Sequence, residues 1–98
     1  MTRSDLAKMA GCPTSFLNHA AAQDVLEFAI LTRANETQPH HTYDAEAVPA
    51  IRTAYGLTRH GIHSAKALMV ARKKPAAAAA ILQVLNAAEV DVRAEEAA

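Results

Sequence analysis

Nearly a quarter of this chain is alanine, 24 residues of 98. Alanine is the strongest helix former yet contributes little to an interior. The residues able to build a hydrophobic core are therefore the 26 Val, Ile, Leu, Met, Phe, Tyr and Cys side chains, enough for one thin core. With only 3 Gly in the chain, this composition predicts a mostly α-helical single domain and disfavours a sandwich or barrel.

Helix punctuation then divides the chain. Thr2 with Asp5 three residues later is a capping-box pattern, Leu6, Met9 and Ala10 form an apolar stripe, and Gly11 suits the left-handed position past a helix end. This predicts helix 1 over 3–10. After Cys12 and Pro13, Thr14 and Ser15 offer N-caps, and Leu17, Ala21, Val25 and Phe28 recur at helical spacing, predicting helix 2 over about 14–26. Two short helices joined by a three- or four-residue turn make a helix-turn-helix pattern. From Glu27 to Tyr43 the period changes: Phe28, Ile30 and Thr32 alternate, Asn35-Glu36 offers a turn, and Pro39 blocks a helix, which predicts a small β-hairpin. Helix 3 is expected over 45–59, opened by Tyr43-Asp44 and irregular in its first turn because of Pro49. Gly61 breaks the chain, and His63 or Ser64 caps helix 4 over 64–73. Pro75 opens helix 5, with Ala76–Ala80 for propensity and Ile81, Leu82, Val84, Leu85 and Ala88 as an apolar face; Glu89–Ala98 is expected to fray.

This order of elements, with its local words, resembles the winged-helix DNA-binding domain of MerR-type regulators and excisionase-like proteins. Leu6-Ala7-Lys8-Met9-Ala10-Gly11-Cys12 is similar to that family's first helix and turn. Tyr43-Asp44-Ala45-Glu46-Ala47-Val48 is similar to the opening of its third helix, and Gly61-Ile62-His63-Ser64-Ala65-Lys66-Ala67-Leu68 to the opening of its fourth. The resemblance implies a mostly α, winged helix-turn-helix fold over 1–74, with 75–98 as an added C-terminal helix and acidic tail. It further implies a small DNA-binding protein, acting as a transcriptional regulator or recombination accessory factor, with helix 2 reading the major groove. Where the family has Arg followed by two aromatics in helix 2, this chain has Asn18, His19 and Ala20.

Charge is balanced overall but unevenly placed. Residues 1–74 carry 9 Lys/Arg against 6 Asp/Glu, a net of +3; residues 75–98 carry 1 against 4, a net of −3. A net of +3 is a weak footprint for a nucleic-acid binder, so DNA affinity would depend on placement and on a homodimer or cooperative array. In helix 2, Thr14, Ser15, Asn18 and His19 are the expected base-reading residues, Ser15 and His19 sharing a face at i, i+4 and Asn18 suited to adenine. Lys8, Arg33, Arg52 and Arg59 are expected at phosphates, with His40 and His41 in the wing. Ile81, Leu82 and Leu85 of helix 5 suit either self-association or ordinary packing against helices 1 and 3.

Other functions have less support in the residues. His40, His41, His60 and His63 lack a recognised ligand spacing, so no metal or cofactor is assigned. Cys12, alone in the chain, is expected as a small buried turn residue and precludes an internal disulfide framework. No phosphate-cradling Gly-rich loop or nucleophile elbow is present, and no enzyme activity is expected. No uninterrupted apolar stretch approaches the ~20 residues of a membrane span, and Met1–Asp5 has no hydrophobic signal core, so the expectation is a cytoplasmic protein without membrane contact. The alternative reading is a non-enzymatic adaptor or inhibitor that uses the same scaffold to bind a partner protein.

Overall fold

The computed structural model describes residues 1–97. It is mostly helical: α1 (Arg3–Ala10), α2 (Thr14–Ala22), α3 (Val48–Thr58), α4 (Ser64–Lys73) and α5 (Pro75–Ala97), with strands β1 (Ile30–Thr32) and β2 (Thr42–Tyr43) between α2 and α3. Short 3-10 turns at Glu27–Ala29 and Ala45–Ala47 precede β1 and α3.

The helix starts follow local chemistry. At α1 the Thr2 hydroxyl accepts from the Asp5 backbone N–H, and the Thr2 N–H donates to the Asp5 carboxylate at 3.2 Å. The latter bond is the main reason the Asp5 carboxyl titrates below its ordinary value. Asp44 caps the 3-10 turn before α3, and His63 Nδ1 accepts from the Ala65 N–H at the start of α4. Pro49 sits in the first turn of α3, where its missing N–H costs nothing. The start of α2 differs: Pro13 occupies the N-cap and supplies no side-chain bond to the helix.

Three helices end in the same way. After α1, Gly11 has φ +69°, its N–H bonds to the Lys8 carbonyl, and the Cys12 N–H bonds to Ala7. After α3, Gly61 has φ +88°, with Gly61 bonded to Thr58 and Ile62 to Leu57. These are paired 5→2 and 6→1 bonds around a left-handed residue, which satisfy carbonyls the helix leaves open. After α2 the left-handed residue is Asp24, φ +58°, with Asp24 bonded to Ala21 and Val25 to Ala20. Helix 2 therefore stops at Ala22, not near residue 26. Its apolar spacing continues into Val25 only because Val25, like Cys12 and Ile62 after the other two helices, folds back onto the core.

The core is continuous. Leu6, Leu17, Leu26, Ile51, Leu57 and Leu68 are fully buried, and small alanines between them, including Ala20, Ala54, Ala67 and Ala78, let the helices approach closely. Phe16 and Tyr55 meet edge to face at 5.3 Å between α2 and α3. The hairpin is short: Ile30 pairs with Tyr43 and Thr32 with Thr42 in antiparallel register, with an irregularity between the pairs. Its loop holds itself in shape. The Asn35 side-chain oxygen accepts from the Thr37 and Gln38 N–H groups, and the Ala34 N–H donates to His41 Nδ1 at 2.8 Å. Tyr43 carries the hairpin into the core at 3% exposure.

α5 differs from expectation at its far end. It does not fray at Glu89 but stays helical through Ala97; Ala98 lies outside the described residues. No helix breaker follows Pro75, and Glu89 pairs with Arg93 one turn on. The first half packs on α3 and α4. There Ala78 is fully buried and the Leu82 methyls lie so close over Gly56 that a Cβ on that glycine would stand 2.7 Å from Leu82 Cδ2. Leu82 and Leu85 are thus packed within their own chain, whereas Ile81 is exposed. By length and composition alone, Pro75–Glu96 is long and apolar enough to cross a membrane, at mean hydropathy 1.2. No uninterrupted apolar run is needed for this, because the many alanines offset the polar residues between them.

Candidate nucleic-acid interface

Arg3, one residue into α1, is the best-anchored cation of the first three helices. Its Nε and Nη2 donate to the Tyr43 hydroxyl at 3.1 and 2.9 Å, and its Nη1 donates to Asn18 Oδ1 at 2.9 Å. Its guanidinium also lies 5.8 Å from the Tyr43 ring centroid. Three elements meet at this side chain: α1, the exposed face of α2, and β2. A cation at the start of a helix is opposed by the helix dipole, so its placement there must draw on partners from elsewhere.

Beside Arg3 runs an open groove of about 480 Å³. One wall is Thr14 and Asn18 of α2 and the other is Ala34, Pro39, His40 and His41 of the hairpin loop, with Thr2, Ser4 and Tyr43 completing it. No Asp or Glu is among these lining residues. The site is thus rich in donors and dipoles and carries positive charge from Arg3. The uncapped first turn of α2 opens on the same side, with Thr14 and Ser15 exposed. His41 is committed locally: its Nδ1 holds the loop, leaving Nε2 as the ring nitrogen that carries the proton.

The structure thus brings Thr14, Asn18, His40 and His41 to one groove and leaves other expected contact residues elsewhere. Lys8, Ser15 and His19 are exposed on α1 and α2 without lining it. Arg33 faces Glu27 at 3.4 Å, both well exposed. Arg52 crosses from α3 to donate to the Met9 carbonyl at 2.8 Å, so it closes the C-terminal end of α1 and is not a free phosphate ligand in this arrangement. Arg59 lines a separate hollow with His60, Asn86 and Glu89 against α5, well away in the chain order from the hairpin. His60 Nε2 lies 2.7 Å from Asn86 Oδ1 and 3.9 Å from Glu89.

Asn18 does not have the free carboxamide that adenine reading assumes. Its oxygen already accepts from Arg3, so the amide presents chiefly its N–H donors. Arg3 itself was missed by sequence reasoning. The available signal was a cation against the dipole at the first position of a capped helix, together with a tyrosine forty residues on at a position destined for burial. Cys12 sits in the turn as a partly buried thiol, and burial pushes its titration up, away from a reactive thiolate.

No family model matches the chain, and no curated protein or solved structure matches it.

Proposed function

We propose that the chain is a small DNA-binding protein of winged helix-turn-helix type, in which α1, the turn at 11–13 and α2 form the reading unit and the β1–β2 hairpin forms the wing. One observation carries this reading. The start of α2 and the hairpin loop form two walls of a single groove with no carboxylate among its lining residues, and an arginine held by Tyr43 and Asn18 lines it with them. A phosphate or base edge entering there meets donors from Arg3, Asn18 and Thr14 and no opposing carboxylate. Local charge supports the same reading: residues 1–74 are net positive although the whole chain is neutral. The work done is positioning, with no chemistry on the nucleic acid, which fits a regulatory or recombination-accessory role.

The role of Arg3 shapes the expected specificity. Arg3 and Asn18 together present N–H groups, and these favour acceptor-rich targets: phosphate oxygens or the O6/N7 edge of guanine. The adenine contact expected for Asn18 gives way to this pairing.

The test is fluorescence anisotropy of the full chain on duplex DNA flanking its own gene and on a scrambled duplex, from about 50 to 200 mM salt. Wild type should bind with steep salt dependence, and Arg3→Gln should weaken binding and flatten the slope by about one counterion. Lack of binding to either duplex at micromolar protein would sink the proposal and leave the adaptor reading, which has the exposed apolar residues of α5 in its favour.

A further inference from the structure

The positive charge of the chain is gathered on α4. Lys66, Arg72, Lys73 and Lys74 fall within residues 64–74, and no Asp or Glu occurs between Glu46 and Glu89. All four cations are exposed. The same helix also turns an apolar side chain to solvent, Met69 at 48% exposure. By helical geometry Met69 is the centre of the exposed face, with Lys66 and Lys73 within about 60° on one side and Ala65 and Arg72 within about 60° on the other.

Beside this face lies a hollow of about 240 Å³, between α4 and the segment that follows α2. Val25, Ala65, Leu68 and Met69 form its apolar part, and Arg72 and Lys73 border it against Asp24, its one carboxylate. The hollow is held in shape. Ser64 Oγ donates to Gln23 Oε1 at 3.0 Å, tying the start of α4 to the end of α2, and the left-handed backbone at Asp24 turns Val25 inward. The Arg72 guanidinium lies 5.6 Å from the Phe28 ring centroid. None of the residues of this hollow lines the groove between α2 and the hairpin.

We infer that this surface docks a partner protein through an acidic amphipathic helix, whose apolar side chains enter the hollow beside Met69 while its carboxylates face Lys66, Arg72 and Lys73. The pairing of charge with apolar surface selects that occupant. A sugar-phosphate backbone answers the cations but leaves Met69 and Val25 without an apolar partner, and a neutral apolar helix covers Met69 but leaves the cations at its edges unanswered. A segment of both kinds uses the whole surface. The 10 residues of α4 offer about 15 Å of face, room for about two to three turns of a partner helix. Such a contact is smaller than a standard interface, so the complex is weak and readily reversed, and the charges act mainly by speeding encounter.

The probe is a fluorescein-labelled synthetic peptide of about 14 residues, built of Glu, Asp and Ala with Leu at i, i+4 and i+7, titrated with the full chain in anisotropy measurements. Wild type should bind it at micromolar concentration. Replacing the Leu residues of the peptide by Ser at unchanged charge should weaken binding about tenfold or more, and so should Met69→Glu. Lys66→Glu with Lys73→Glu should weaken it likewise and create binding to the peptide that carries Lys in place of Glu and Asp. All three positions are exposed, so circular dichroism should be unchanged in these variants. Peptide-induced amide shifts should centre on Val25, Ala65 and Met69. No peptide binding at about 100 μM chain, equal binding of the Ser peptide, or shifts centred on the exposed valines of α5 would overturn the inference. Loss of duplex DNA binding in the double lysine variant with peptide binding intact would assign the cations to phosphate. A dimer in sedimentation velocity that Met69→Glu abolishes would assign the surface to a second copy. Either result overturns the docking of a partner protein.

Discussion

Arg3, at the start of the proposed reading unit, and Tyr43, in the proposed wing, are joined by two hydrogen bonds to a single phenolic oxygen. The ring of Tyr43 is core and its hydroxyl is the anchor that sets the direction of the guanidinium. Burial of the one thus organises the exposed chemistry of the other, and the 2.9 Å bond from Arg3 to Asn18 extends that order to α2.

Tyr43→Phe separates the two roles. The ring stays packed, and Arg3 loses its anchor but can be rehydrated, so chemical denaturation should show a loss of about 1 kcal/mol and no change in fold. Binding to duplex DNA should fall several-fold and lose discrimination between sequences, since a mobile Arg3 still attracts phosphate but no longer fixes register. Unchanged discrimination in anisotropy measurements would show that Arg3 acts only as a stitch between α1 and β2.

The three left-handed helix ends make a second comparison. Gly11 and Gly61 have open space where a side chain would begin, so the cost of Gly61→Ala is purely conformational, about 1 kcal/mol in urea unfolding. Asp24 occupies the equivalent place with the strain already present. Asp24→Gly should therefore stabilise the protein by on the order of 0.5–1 kcal/mol, despite adding a glycine. A loss of stability would mean that the Asp24 carboxylate makes a contribution beyond its backbone shape.

Gly56 and Leu82 form a size pair between α3 and α5. Gly56→Ala gains helix propensity of about 1 kcal/mol but requires the Leu82 methyls, the free end of a partly exposed side chain, to move aside, so the two effects should offset to within about 0.5 kcal/mol. In a Leu82→Ala background the same change should become stabilising. A double-mutant cycle that returned no coupling would place α5 farther from α3 in solution.

Much of the architecture was legible because it rests on local rules. The limits of α1 and α4, the irregular start of α3, and the helical class follow from caps, glycines, Pro49 and the alanine content. The stop of α2 was not legible, because Asp24 there takes a backbone shape that composition assigns to glycine. Asp can enter the left-handed region at modest cost, and it does so where Val25 gains by folding onto the core. The persistence of α5 past Glu89 was missed because its polar, solvated sequence reads as a tail, although no residue in it breaks a helix.

For the groove, local pattern placed Thr14 and Asn18 on a helix and His40 and His41 in a hairpin loop, but only the fold set those two segments facing each other. Which cation serves that groove was decided only in three dimensions. Arg3, Arg52 and Arg59 are alike as letters, but one meets Tyr43 and Asn18, one closes α1 through the Met9 carbonyl, and one turns toward α5. Local propensity acts over a few residues and writes the helices into the sequence. The partners of a long, flexible guanidinium are set by which distant elements the packed core brings within reach, and that information exists only in the folded chain.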